Sequence, residues 1–368
     1  MRKQFGTRNI GWFILTILCY WILGQGGVYK YIFILSIAFL GLGIKKFCVS
    51  PKYFIILVSP ACYLLTGLFC AVANLNISYS ALKVSCFMLV PAISAICICN
   101  AIESKDISTM LDLQFWAIAI ISLIVGYKGL SRGNLFESQY AFILGAYVVY
   151  YYAYKRKGML CIAGFFTFLA NKRIVFMAVA VSILLYIVIR LFKNRQIQRW
   201  IINCVVMCIL CGCYIWVAFV KSGIIHAIFA TLRIESNGRI NIWNQIGEYY
   251  DFGIFYFGKG IGFVTNYLNN LKILGFANLH NDLLLLYIET GFWGLGLCVI
   301  AHFYMVRRGR NFSKILSSRK ILLICLIVYS FFNYLTDNII IYINYWLPAY
   351  LMLLGIMFAP HGRKEGED

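Results

Sequence analysis

The chain has 368 residues, 62% of them hydrophobic and only 12% charged, with a mean hydropathy of +0.81; this excludes an ordinary soluble domain. Its 33 Lys and Arg against 13 Asp and Glu give a net charge of +20, which in so apolar a chain fits anchoring to anionic lipid headgroups and calls for no nucleic acid. Continuously apolar runs of roughly 15–22 residues also exclude a transmembrane barrel, whose strands alternate apolar and polar residues. The predicted class is all-α: a polytopic membrane protein in which residues 1–368 form a single integral membrane domain.

Twelve spans are predicted, near 10–24, 28–44, 53–73, 81–102, 107–127, 139–154, 159–170, 174–192, 200–221, 281–304, 320–336 and 338–358. The first leads directly to the second and lacks a small-residue cleavage site, so it reads as a span and not as a signal peptide. With the N-terminus inside, 22 of the 33 basic residues fall in cytoplasmic segments, ten fall outside, and Lys83 lies within a span. By the positive-inside rule both termini are cytoplasmic, and the large loop at 222–280 is extracytoplasmic.

The fourteen cysteines all lie in or beside predicted spans, which argues against a disulfide framework. Cys204, Cys208, Cys211 and Cys213 are spaced like metal ligands but sit in an apolar helix without charged neighbours, so they read as small hydrophobes. No external carboxylate cluster resembles a divalent-cation site, since Glu235, Glu248 and Asp251 are scattered. Neither a metal nor another cofactor is expected.

Basic residues on the external side run against the orientation rule and therefore attract attention. Lys30 and Lys221 read as anchors at span ends. Arg132 lies in a loop of turn residues, Gly129 to Phe136, and Arg173 follows Asn171 and Lys172 in a tight turn between apolar spans. Arg239 opens a helix predicted to be capped by Ser236 or Asn237, with Ile242, Trp243, Ile246 and Tyr250 on one face. A second amphipathic helix is predicted from Val264 to Leu274, and both helices suit a membrane surface, their polar faces roofing a cavity. Guanidinium groups gathered at one face suit a phosphate or pyrophosphate ligand, with headgroup contact as the alternative. Gly258-Lys259-Gly260-Ile261-Gly262 follows no strand, so it reads as a tight turn between those helices, with amides available to an anion, and not as a nucleotide loop.

The loop ends in His280-Asn281-Asp282 and runs straight into the next span. His280 thus sits at a helix N-terminus, where the dipole disfavours imidazolium and leaves the neutral ring a general base needs; the alternative is a histidine that only fixes the helix start. Glu289 shares a face with Asp282 and, being ionisable within a span, is expected to meet a cavity or a basic partner.

These residues resemble the O-antigen polymerase and O-antigen ligase superfamily of bacterial surface-polysaccharide assembly. The carrying pattern is Arg239 and Trp243 in a late external loop, then Gly258, Gly260 and Gly262, then His280 and Asn281 opening a span with Glu289, Gly291 and Gly294. Arg132 to Phe136 and Asn171-Lys172-Arg173 are similar as well, while the family's frequent Pro-Asn pair is Ser138-Gln139 here. The resemblance implies a GT-C-like glycosyltransferase fold without a nucleotide-sugar domain, in the bacterial cytoplasmic membrane. Its donor would be an oligosaccharide on undecaprenyl pyrophosphate at the outer face, with membrane lipids around it and a chain-length regulator and a flippase as partners. His280 would deprotonate the acceptor hydroxyl, and Arg173 and Arg239 would stabilise the departing pyrophosphate. Arg132, Lys172, Lys259, Trp243, Asn281 and Glu289 would bind substrate. Richness in Ile, Phe, Tyr, Asn and Lys favours a repeat-unit polymerase over the ligase that delivers finished chains to lipid A core. A flippase is the reading from another class, disfavoured because residues 1–180 and 181–368 show no repeat.

Overall fold

The computed structural model describes residues 49–101, 106–130, 138–233, 236, 238–271, 279–308 and 318–358. The predicted spans at 10–24 and 28–44, and Arg132, lie outside these residues. The described residues are helical, with no strand among them. A 3-10 turn, Pro51–Leu57, leads into α1 (Val58–Ala73), followed by α2 (Tyr79–Ala101), α3 (Ile107–Leu130), α4 (Ala141–Ala153), α5 (Lys157–Leu169), α6 (Arg173–Leu191) and α7 (Arg195–Lys221). Three short helices fill the large loop: α8 (Ile224–Thr231), α9 (Arg239–Gly247) and α10 (Phe263–Leu271). Then come α11 (Asp282–Arg308), α12 (Ser318–Tyr334), a 3-10 turn at Ile339–Ile341 and α13 (Ile343–Phe358).

A helix occupies each of the ten predicted spans that fall in the described residues. Six are long and apolar enough to cross a membrane: Pro51–Ala73, Tyr79–Asn100, Ile107–Tyr127, Arg173–Leu191, Arg195–Lys221 and Asp282–Arg308. The other four, α4, α5, α12 and α13, have 13, 13, 17 and 16 residues, shorter than the roughly 20 that a perpendicular crossing takes. Helix α11 is central, packing along α1 with 78% of its apolar window buried, whereas α7 has 11% of its window buried and shows most of its surface outward. The polar residues near the start of α3 are satisfied within the bundle. Asp112 pairs with Arg156 at 2.6 Å, and Gln114 accepts from the Tyr147 hydroxyl at 2.8 Å, which removes the cost of unpartnered polar groups at that depth.

Helix α11 is broken at Gly291 (φ 75°, ψ −174°), and a break inside a bundle must find new partners for its freed backbone groups. The glycine-rich segment supplies them. Lys259 N donates to Ile288 O at 2.8 Å, Gly260 N to Glu289 O at 2.9 Å, and Phe292 N to Tyr256 O at 2.8 Å. On its other side Ile261 N donates to Gly67 O of α1 at 2.9 Å. The segment is therefore more than the surface turn the sequence suggested: it is threaded between α1, α2 and the break in α11. The amides of Lys259, Gly260 and Ile261 are taken by protein carbonyls and that of Gly262 by the Glu289 carboxylate, so these four are not available to an anion. Glu289 closes the arrangement. It is fully buried and meets no cation among the described residues, accepting instead from Val264 N at 3.2 Å and from the Tyr63 hydroxyl.

The close approach leaves no room for side chains. Gly260 has φ +97°, and a Cβ there would collide with the backbone of Ala71. Gly260→Ala is expected to destabilise the protein by about 2–4 kcal/mol, through overpacking and a positive φ together. The check is thermal unfolding in detergent, with Gly253→Ala, a position with open space around it, unchanged.

Candidate active site

The N-terminus of α11 is built residue by residue. Asn281 is the N-cap: its Oδ1 accepts from Leu284 N at 3.0 Å, satisfying one of the amides a helix start leaves open. To enter the helix from the loop the chain turns through His280, which adopts the left-handed conformation at φ 53°. Non-glycine residues take this conformation only when their surroundings hold them there. Two bonds do so here: the Trp243 indole Nε1 donates to Leu279 O at 2.9 Å, and His280 N donates to Asn338 Oδ1 at 2.8 Å. The next residue, Asp282, is fully buried and accepts from Ile340 N at 2.9 Å. The turn between α12 and α13 is thus clasped to the start of α11 by reciprocal side chain–backbone bonds.

That clasp carries Asp337, which is 2% exposed. Its Oδ1 lies 3.7 Å from His280 Nδ1, and its Oδ2 lies 3.6 Å from Lys172 Nζ. Asn338 N donates to Oδ1 at 2.9 Å, and the Tyr342 hydroxyl stands 3.5 Å from the same oxygen. Burial pushes the Asp337 pKa up, but His280, Lys172 and the Asn338 amide outweigh it and hold the carboxyl below its ordinary 3.8. Asp337 is therefore an anion at neutral pH, with one cation and one imidazole facing it. The His280 side chain keeps 27% of its surface exposed. With Nδ1 directed at the carboxylate, the other ring nitrogen is the one left for chemistry, the division of labour in which a carboxylate orients a histidine base.

Arg239 approaches this cluster through α9, whose Trp243 bonds Leu279 O directly ahead of His280. It stands at the first position of α9, half-buried. The cap of α9 is Gly238, left-handed at φ 77° and without a side-chain bond, in place of the expected Ser236 or Asn237; Asn237 lies outside the described residues. The predicted apolar face is observed, with Ile242, Trp243, Ile246 and Tyr250 all buried. Lys221, at the end of α7, donates to Gly247 O at 2.7 Å and Tyr250 O at 2.6 Å, tying α7 to the C-terminal end of α9. Of the second amphipathic helix, Val264 and Leu268 are buried as its spacing requires.

The predicted site residues separate into groups. His280 and Lys172 converge on Asp337, and Arg239 opens α9, whose Trp243 bonds the carbonyl just ahead of His280. Arg173 begins α6 immediately after Lys172 and is exposed. Trp243 is 3% exposed and Asn281 0%, so they are placed as an anchor and a helix cap. Lys259 lies in the glycine segment and Glu289 on α11 beside it, and the segment's bonds to Ile288 and Glu289 lie about 12 Å along α11 from His280. Arg132 is outside the described residues. Asp337 is the residue that sequence reasoning missed; its signal was a carboxylate followed by Asn338 in a turn between two apolar runs on the same predicted side as His280.

Residues 158–299 match the family model described as O-antigen ligase, Wzy_C, which supports the O-antigen polymerase and ligase superfamily. The matched segment runs from the start of α5 into α11 and includes Lys172, Arg173, Arg239 and His280, with Asp337 beyond its end. No curated protein and no solved structure matches the chain.

Because Asp337 is held below its ordinary pKa in the folded protein, the stability it contributes is fully present above 3.8 and is lost as pH falls through the folded value. At pH 7, Asp337→Asn is expected to cost on the order of 2 kcal/mol, the worth of charge-assisted bonds at a buried carboxylate. Thermal unfolding of both proteins across pH checks this, with the gap closing only below pH 3.8.

Proposed function

We propose that this chain, whose residues 158–299 match the O-antigen ligase family, is a membrane glycosyltransferase that transfers a glycan from undecaprenyl pyrophosphate to an acceptor sugar hydroxyl. An O-antigen ligase or polymerase type of function follows from the family match; the donor, the acceptor and the residue roles are the proposal. The observation that carries it is the grouping of His280, Asp337 and Lys172 at the end of the bundle where Arg173 begins α6 and Arg239 opens α9, the helix tied to Leu279 through Trp243.

The chemistry runs as follows. The acceptor hydroxyl gives its proton to the His280 ring nitrogen that faces away from Asp337, and the Asp337 carboxylate stabilises the imidazolium that forms. The hydroxyl oxygen bonds to the anomeric carbon of the donor, and the bond from that carbon to the pyrophosphate oxygen breaks. The electron pair leaves with the pyrophosphate, whose charge Arg173 and Arg239 neutralise. The Lys172 charge is directed at Asp337, so its part is to keep that carboxylate ionised and in place. Trp243, Asn281 and Glu289 act by fixing backbone, and Lys259 by its amide at the break in α11.

Polymerisation of lipid-linked repeat units at the outer face of the bacterial cytoplasmic membrane is the preferred form of the reaction, on the composition described above. The family's description as a ligase favours a second form, transfer of finished chains to lipid A core. One experiment separates them: mass spectrometry of lipid-linked saccharides, with a polysaccharide gel, in a deletion strain complemented with wild type or His280→Ala. A single repeat unit on the carrier in the deletion, with the ladder restored by wild type alone, is the expected result. Loss of the base should slow transfer by roughly 10²–10⁴-fold. Long chains accumulating on the carrier would make the protein a ligase, and normal chain lengths with His280→Ala would overturn the assignment.

A further inference from the structure

Two short helices of the large loop carry faces that the proposed reaction does not use. Along α10, Phe263, Asn266, Tyr267 and Asn270 recur at the spacing that places them on one face, while Val264 and Leu268 are turned away and buried. At the end of α9, Gln245, Glu248 and Tyr249 follow the same spacing and are exposed, Tyr249 by 39%. The two faces meet ring to ring. Phe263 and Tyr267 are parallel to within 11° with centroids 6.2 Å apart. Tyr249 stands against them at 53° and 55°, with centroid distances of 6.1 and 4.5 Å. The three rings form a half-exposed corner on the same helix faces as the amides of Asn266, Asn270 and Gln245. Both walls are held from behind. Val264 N donates to Glu289 Oε1 at 3.2 Å, which pins the first turn of α10 to α11. Lys221 Nζ donates to Gly247 O at 2.7 Å and to Tyr250 O at 2.6 Å, on either side of Tyr249.

We propose that this corner is a saccharide-binding site, in which the C–H face of one pyranose ring lies on Phe263 and Tyr267 against the wall of Tyr249, and its hydroxyls meet Asn266, Asn270, Gln245 and Glu248. A sugar ring presents an apolar C–H face and a rim of hydroxyls that both donate and accept. Aromatic rings offer the face a broad apolar surface. Side-chain amides donate and accept, and the Glu248 carboxylate accepts, which together match the rim. Rings set in place beforehand also cost a ligand little to order. A lipid tail has no use for the amides, and the same loop carries a separate surface suited to one in Ile254, Phe255 and Phe257, exposed by 51, 82 and 63%. Tyr249 follows Trp243 by six positions, about 9 Å along α9 from the side chain that holds Leu279 O ahead of His280. The identity of the ligand rests on the transferase reading: the corner holds a sugar of the substrate glycan set apart from the one that reacts.

Full-length protein in detergent is titrated calorimetrically with oligosaccharides made by mild acid hydrolysis of the host's own surface polysaccharide, and thermal unfolding checks that each variant is folded. Wild type should bind, and Tyr249→Ala with Tyr267→Ala should weaken binding by about tenfold or more. Tyr249→Phe with Tyr267→Phe, which keeps the rings, should stay within about threefold of wild type, and Asn266→Ala with Asn270→Ala should lose about fivefold. Phe255→Ala, which trims an exposed ring outside the corner, should bind like wild type. Absence of binding by wild type, or affinity unchanged in both the alanine ring variant and the amide variant, would overturn the proposal. It also falls if the alanine ring variant changes only the retention of phosphatidylglycerol by the protein, because the corner is then a lipid contact. Failure of the transferase reading shows itself separately, as normal chain lengths in His280→Ala, a variant that should bind the oligosaccharides as wild type does.

Discussion

His280 stands at φ 53° directly ahead of α11, a conformation that costs a residue bearing a Cβ roughly 1–2 kcal/mol, and the surrounding structure is arranged to keep it there. Trp243 holds the carbonyl before it, Asn338 holds its amide, Asn281 caps the helix after it and Asp282 grips the amide of Ile340. Each such bond contributes about 1 kcal/mol net, so the set outweighs the strain several times over. What the conformation gains is direction. The imidazole leaves the helix end toward Asp337, where a relaxed helical residue would continue the axis. The clasp fixes ring and carboxylate together, since Asp337 and Asn338 are adjacent and the same turn supplies both the backbone hold and the charge.

A second constraint meets this one along α11. The break at Gly291 frees carbonyls and an amide in a region where water is absent, and a bundle tolerates that only if protein groups answer. Tyr256, Lys259 and Gly260 do so, and Ile261 carries the same segment across to Gly67 of α1. The large loop is thereby tied to α1 and to both sides of the break, besides its ties through Trp243 and Lys221. A loop with so many separate attachments has little freedom to move independently, and Arg239 inherits that rigidity from α9. A base and a leaving-group cation contribute to catalysis only when their separation is fixed before the substrate arrives; in the proposed reaction His280 and Arg239 would be fixed by backbone bonds rather than by side-chain contacts with each other.

Much of this was legible in the sequence wherever one continuous stretch contained both the signal and its cause. Apolar runs gave the helices at all ten described positions, and the spacing of Ile242, Trp243, Ile246 and Tyr250 gave the buried face of α9 because one helix turn relates them. The His280-Asn281-Asp282 junction showed a histidine at a helix start. Contacts between distant residues were not legible. Asp337 reaches His280 and Lys172 across 57 and 165 positions, and in the sequence it is only a turn between spans. Glu289 gave the right alarm, an ionisable group at membrane depth, but its partner Tyr63 is 226 positions away, so a cation or cavity was the natural guess. At the start of α9 the sequence suggested Ser236 or Asn237, whose side chains are good caps, but the chain turns left-handed at Gly238, a conformation glycine takes without a Cβ penalty.

Helix α11 joins these features into one mechanical element. His280 stands directly ahead of its N-terminus, its broken middle takes in the glycine segment of the large loop, and its C-terminal turn carries Arg307 beside α7. Burial over 78% of its apolar window means that neither half can tilt without disturbing packing against α1, because close-packed interiors move between discrete arrangements and do not deform smoothly. Gly291 is the exception, a point where backbone bonds to a loop replace helical ones.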